Sequence, residues 1–228
     1  MLKRQQISSP MQSIDFLSNG LSILKNSRFD ARDIEEVSHP NSIVKTFQWI
    51  VVYLLKATHD KVREELKGGN DSFEAKNNSQ VYYGKSLAIA FIQHFFLQRM
   101  LVTISEAEDP AIKAVLTKIF SLFGLWSIER WHMATLFKGG FASSPLVPTL
   151  IQDAILKLCA DLKDDAVGLV DAIAVPDFIL RSCLGSSDGQ VYKRLKESMT
   201  KDDYNMNRPP WWKEVVNYAE INRSKCKL

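Results

Sequence analysis

Residues 149–174 read TLIQDAILKLCADLKDDAVGLVDAIA. Apolar side chains return at Ile151, Ile155, Leu158, Leu162, Ala166, Leu169 and Ile173, at steps of three and four. Those steps follow the α-helical turn and not the two-residue pleat of a strand. The spacing predicts one continuous helix of about six turns with a single apolar face.

The same rhythm runs outward from this stretch. Ile112, Leu116, Ile119, Phe123, Trp126, Arg130, Met133 and Phe137 form a second stripe, entered through Asp109 as cap and Pro110 as first-turn proline. LAIAFIQHFFLQRMLV (87–102) is apolar nearly all round and predicts a helix packed on several sides. A further helix is expected from Val44 to Leu66. Glycine clusters at 67–71 (KGGND), 138–145 (KGGFASSP) and 185–189 (GSSDG) separate these segments. Sustained strand alternation is absent, so the expected fold is an all-α, antiparallel bundle of about four long helices. Pro176 must stop or kink the last of them. A shorter helix from about Asp188 to Met199 follows, then an arm, NRPPWWKEVVNY (207–218), expected to lay Trp211 and Trp212 on the bundle. The predicted organisation is a lead-in over 1–40, the bundle over 41–200 and the arm over 201–228.

Composition narrows the function. With 46% hydrophobic and 24% charged residues in 228, the chain is globular and able to bury a core. The net charge is +3. Residues 208–228 account for all of it, with Arg208, Lys213, Arg223, Lys225 and Lys227 against Glu214 and Glu220. The neutral remainder offers no electrostatic footprint for nucleic acid. Cys159, Cys183 and Cys226 have neither metal-ligand spacing nor the density of a secreted disulfide scaffold. MLKRQQISSP carries charge without an apolar stretch, so no signal peptide is expected; no run of eighteen consecutive apolar residues occurs, so no membrane span is expected.

Motifs that imitate active sites lack their context. GSSDG puts Ser187 at the nucleophile position of G-x-S-x-G, but that motif needs a preceding strand and a downstream histidine, and the last histidine is His132. The expected role is a loop with Asp188 capping the next helix. YGKS (83–86) resembles the end of a phosphate loop, yet the first glycine position holds Ser79; helix entry is expected instead. Asp161, Asp164, Asp165 and Asp171 make an acidic edge without the Glu-x-x-His pairs of bundle metal sites, so a solvated or ion-paired face is expected. His94 and Arg130 sit among apolar residues. His94 is expected to find a structural partner, and Arg130 a carboxylate among Asp161–Asp171. Phe95-Phe96, Phe120 and Phe123 read as core or docking aromatics. No catalytic, cofactor-binding or metal-binding residue is expected within this chain.

LKDDAVGLVDAIAVPDFILRSCLGSSDGQVYKRL (162–195) resembles the C-terminal helical domain of peroxisomal acyl-CoA oxidases. Asp165-Ala166-Val167, Leu169 through Ala172, Leu184-Gly185, Asp188-Gly189 and Val191-Tyr192 carry the likeness. SPMQSIDFL (9–17), FEAKNNSQV (73–81) and KSLAIAFIQHFFLQRM (85–100) are similar to the branched-chain (pristanoyl-type) oxidase more than to the straight-chain one. The resemblance implies a flavoenzyme that oxidises acyl-CoA to trans-2-enoyl-CoA and passes electrons to O₂, giving H₂O₂ in fatty acid β-oxidation. It places the FAD-binding region and the catalytic glutamate in a larger part with no counterpart in this chain, so the chain alone is expected to bind no FAD. It implies three partners: that catalytic part, a second copy in a homodimer, and the peroxisomal import receptor. The receptor would read Cys226-Lys227-Leu228, which is similar to Ser-Lys-Leu. Asp165, Asp171, Gly185, Asp188, Gly189 and Tyr192 are the structural signature that carries over. Val175, where relatives often have proline, and Cys226, in place of serine, depart from the pattern. The alternative reading is a stand-alone, non-catalytic helical interaction protein derived from that domain.

Overall fold

Three local devices start the long helices. Asn41 N–H donates to His39 Nδ1 at 3.2 Å, with Pro40 in the first turn. The Asp71 carboxylate accepts from the N–H groups of Phe73 and Glu74 at 2.7 and 2.8 Å. Asp109 accepts from Ala111 N–H at 2.7 Å ahead of Pro110. Each satisfies donors that a helix N-terminus leaves open.

The computed structural model describes residues 13–173, 175–186, 188–201 and 206–217, and among them there is no strand. The fold is all-α. A 3-10 turn (Asp15–Asn19) leads to α1 (Gly20–Asn26) and α2 (Ile34–Ser38). α3 (Pro40–Lys67) is followed by α4 (Ser72–Ser79), which runs through a π-helical turn (Gln80–Gly84) into α5 (Lys85–Glu106). α6 (Pro110–Ser127) runs through a second π turn (Ile128–His132) into α7 (Met133–Lys138), and α8 (Val147–Asp161) completes the first compact unit. A second unit begins at Ala166 and contains α9 (Ala166–Asp171), α10 (Asp177–Leu180), α11 (Val191–Thr200) and α12 (Trp212–Val216).

In the first unit α3 is the axle. α5 and α6 pack on α3 and on each other, and α8 packs on α6 and α2. Ile43, Phe47, Trp49 and Ile50 are buried in the first half of α3, and its second half emerges into polar pairs such as Lys61–Glu65 at 2.8 Å. Leu97, Phe120, Leu125, Leu136 and Ile151 complete the core. Each such side chain contributes ~1.5–3 kcal/mol when fully buried.

Two expected stripes differ from the structure. The continuous helix over 149–174 is two helices: α8 ends at Asp161, Leu162–Asp165 is a run of turns, and α9 restarts at Ala166. Ile151 and Leu158 are buried as expected, but Ile173 is 72% exposed. Asp161, Asp164 and Asp165 put like charges three and four residues apart, and aspartate is a poor helix former, so the apolar rhythm does not hold the helix together there. The division into two units falls at this break. On α6, Phe120, Ser121, Gly124, Leu125 and Ile128 are buried, whereas Ile112, Trp126, Arg130 and Phe137 of the predicted stripe are exposed. A Cβ on Gly124 would lie 2.5 Å from Ile43 Cγ2. Close approach of α6 to α3 therefore seats Ser121 and Gly124 at the contact and turns the predicted stripe to the flank, where Leu116, Phe123 and Met133 are half-buried against the core and Ile112, Trp126, Arg130 and Phe137 are exposed. In the arm Trp211 is exposed, and Trp212 takes the Arg208 guanidinium over its ring at 4.2 Å.

Ser72–Glu106 and Pro110–Lys138 are long and apolar enough, by length and composition, to cross a membrane. Gln93, His94 and Gln98 interrupt the apolar runs of the first without lowering its average, so a search for uninterrupted runs passes it by. Core helices of globular domains meet the same criterion.

Two histidines are buried between these helices. His132 Nε2 lies 2.7 Å from Gln93 Oε1, with the Phe47 ring edge-on at 5.7 Å. His94 has no hydrogen-bond partner at either ring nitrogen among the described residues and packs against Phe16 at 4.6 Å. Burial lowers both pKa values to about 4. Above about pH 6.5 both rings are neutral in the folded and unfolded chain. Below that, the unfolded chain takes up protons that the folded chain resists until about pH 4, so stability is lost as pH falls from 6.5 to 4. Urea unfolding should show a loss of about 2 kcal/mol per histidine between pH 7 and pH 5, before carboxylates dominate. His94→Leu should leave stability at pH 7 unchanged or higher and remove about half of this dependence. His132→Leu should cost ~1–3 kcal/mol, because it strands Gln93 Oε1. A flat pH profile in the parent chain would contradict the assignment.

Candidate functional site

Three of the signature residues, Gly185, Asp188 and Gly189, lie in the loop between α10 and α11. Arg181, at φ 47°, ends α10 in the left-handed region. Ser182 Oγ then accepts from the N–H groups of Leu184 and Gly185, both at 3.2 Å. Gly185 passes close to Leu180, where a Cβ would come within 2.6 Å of Leu180 Cδ2. Gly189 has φ +67°, which favours glycine. Asp188 starts the next helix: Oδ1 accepts from Gln190 N–H at 3.0 Å, and Oδ2 accepts from Arg194 Nε and Nη2 at 3.1 and 2.9 Å. Asp177 Oδ2 stands 3.9 Å from the same Nη2, so one guanidinium ties the start of α10 to α11. The Gln190 N–H, and next the Arg194 guanidinium, lower the Asp188 pKa.

The other signature residues are not drawn into this loop. Tyr192 is 89% exposed, Asp171 is exposed at the end of α9, and Asp165 is half-buried with its N–H donating to Leu162 O at 3.1 Å. Ser187 and the Cys226, Lys227 and Leu228 tripeptide lie outside the described residues. Arg194 is the residue that sequence reasoning missed; its only sequence signal is its place six residues after Asp188, one turn into the amphipathic helix.

The remaining candidates are dispersed over both units. An open groove in the second unit is lined by Asp177, Arg181, Cys183, Arg194 and Lys201 and has no histidine to serve as base. In the first unit a cavity of about 190 Å³ lies among Phe29, Thr46, Ile128, Phe141 and Ile151, and the Thr46 hydroxyl there donates to Ser42 O at 2.8 Å. Among the described residues no three His, Cys, Asp or Glu side chains gather as a metal site requires. Asp161 pairs with Lys157 at 3.2 Å, and its carbonyl accepts from Lys118 Nζ at 3.2 Å. Gly84-Lys85 marks the passage from the π turn into α5, within the continuous helical stretch from Ser72 to Glu106. Arg130 is not buried and has no carboxylate mate among the described residues. Its guanidinium carbon sits 5.7 and 5.4 Å from the Trp126 and Trp131 rings, a surface cation–π cluster. The expected pairing fails because the face that carries Arg130 points outward.

Asp188→Ala should speed amide hydrogen exchange at the start of α11, where its carboxylate holds Gln190 N–H and Arg194. Tyr192→Ala should leave the same amides unchanged. Equal exchange in both variants would separate the carboxylate from the ordering of the helix.

Comparison with known proteins places these features. The pattern of the acyl-CoA oxidase family matches residues 39–219. Peroxisomal acyl-coenzyme A oxidase 3 of Homo sapiens is 37% identical over 222 residues, covering 96% of this chain and 31% of the human protein. Among solved structures, acyl-CoA oxidase 1 of Arabidopsis thaliana superposes with a TM-score of 0.80 at 17% identity, over 96% of this chain and 32% of that one. Acyl-CoA oxidase-2 of Caenorhabditis elegans, solved with FAD, ascaroside-CoA and ATP, gives 0.72 at 20% identity, over 96% and 33%. The chain spans about a third of the length of the relatives it matches. With a family match over most of its length and a relative at 37% identity, this chain belongs to the acyl-CoA oxidase family.

Proposed function

We propose that this chain is the C-terminal helical portion of a peroxisomal, FAD-dependent acyl-CoA oxidase, and that it supplies structure, dimer support and targeting to a catalytic part that lies outside it. The catalytic part would carry out oxidation of acyl-CoA by O₂ to trans-2-enoyl-CoA and H₂O₂ in fatty acid β-oxidation. The observation that carries the reading is the match itself: 96% of the chain aligns with 31% of an oxidase. The chemistry agrees. Removing an α-proton and a hydride needs a base and a flavin held in fixed geometry. Of the buried histidines described, His132 is engaged with Gln93 and His94 is enclosed by core residues.

Peroxisomal import through Cys226-Lys227-Leu228 is supported by the family and by the likeness of that tripeptide to Ser-Lys-Leu. The human relative bears the peroxisomal name.

The test is direct. The purified chain should carry no flavin absorbance and release no peroxide from acyl-CoA. A yellow, peroxide-forming preparation would assign the chemistry to this chain after all. Residues 217–228 fused to a fluorescent protein should give a punctate, peroxisomal signal that deletion of Leu228 turns diffuse.

A further inference from the structure

α5 has two apolar faces, and the fold uses one of them. Ala90, Gln93, His94, Leu97 and Ile104 point into the core. At 100° per residue, Ala88, Ile92, Phe96, Arg99 and Thr103 fall on the opposite side in one stripe. All five are exposed, Ile92 at 48% and Phe96 at 57%. Phe95 flanks them, its ring 6.3 Å from that of Phe96. A solvated helix face carries mixed charges. This one holds no acidic residue from Lys85 to Ser105, and only 28% of the most apolar eighteen-residue window of the Ser72–Glu106 stretch is buried.

Phe96 outward and Leu97 inward are equally apolar, so the sequence treats both sides of α5 as interior. We propose that the outward stripe of α5 is the docking surface for the flavin-binding, catalytic part of the oxidase. This rests on the function proposed above. Two observations select that occupant. The relatives that share this fold carry about twice as much additional chain, so in them a large protein body accompanies the helical domain. The charges on the stripe are Lys85 and Arg99, fourteen residues or about 21 Å apart on a helix. Neither has a carboxylate within ion-pair distance among the described residues. The complementary surface is an apolar trough with a carboxylate toward each end. Membrane-surface helices differ, since they line their polar face with many lysines and arginines.

The test places a photoreactive benzoylphenylalanine at position 96, in this chain joined to the catalytic part of the human relative in place of its own matching segment. The expected result is an active, yellow enzyme whose position 96 crosslinks to the flavin-binding part. Ile92→Glu with Phe96→Glu should raise protease cleavage at the junction about tenfold, as loss of a buried aromatic anchor does. The same double substitution should leave the thermal unfolding of the 228-residue chain unchanged, because both sites are exposed there. A crosslink to a second copy of the helical domain, or to lipid only, overturns the proposal while the oxidase reading stands. So does an active enzyme with no crosslink. A colourless, inactive fusion overturns that reading and the docking surface with it.

Discussion

The first unit depends on how closely α6 can approach α3. Gly124 sets that distance, since even a methyl group there would meet Ile43 at 2.5 Å. Ser121, one turn earlier, donates its hydroxyl to Ser38 O at 2.6 Å and holds the end of α2 against the same face. With α6 seated this way, Phe120 and Leu125 enter the core and His132 reaches Gln93 on α5. The cost appears on the other side of the helix. Trp126, Trp131 and Phe137 are turned outward, although their size would make them natural core residues. Tight contact between helices favours small residues, and the large ones go where space remains.

That choice explains which parts of the fold were legible in the sequence. α3 was read correctly because its apolar half and polar half are distinct, as in Phe47 and Trp49 against Lys56 and Asp60. α6 is legible only in part, because both its faces are apolar: Leu116 and Phe123 of the predicted stripe pack on the core, while Ile112 and Trp126 are exposed. Arg130 follows from this: its place in the apolar rhythm predicts a carboxylate mate, and its guanidinium instead lies over the Trp126 and Trp131 rings at the surface. Across 149–174 the failure is of another kind. The apolar rhythm persists through Leu162–Asp165, but three aspartates in five residues oppose continued helix, and a count of apolar positions does not weigh them.

The signature loop was legible as a pattern before it was legible as a structure. Asp188 as a helix cap and the glycine-rich turn could be argued from residue types alone. The clasp of Asp188 and Asp177 on Arg194 could not, because it joins residues across a loop whose path is set by the positive φ angles at Arg181 and Gly189. Gly185 and Gly189 then differ in kind: one yields room to Leu180, the other supplies a backbone conformation.

The polar groups of the first unit's core are held in packing. An acid–base catalyst needs a titrating group near the working pH with access to a substrate. His94 and His132 have the opposite properties: burial pushes both to about 4, and both are enclosed by packed side chains. Neutral, buried histidines of this sort fix how helices meet, as His132 does through Gln93. The apolar surface left on α5 and α6 is the complementary feature. A domain that leaves Ile92, Phe96, Trp126 and Trp131 exposed would be poorly suited to act alone in water. Completing a larger protein, as proposed, would turn the outward stripe of α5 into interior and leave the buried histidines to keep the helices in register.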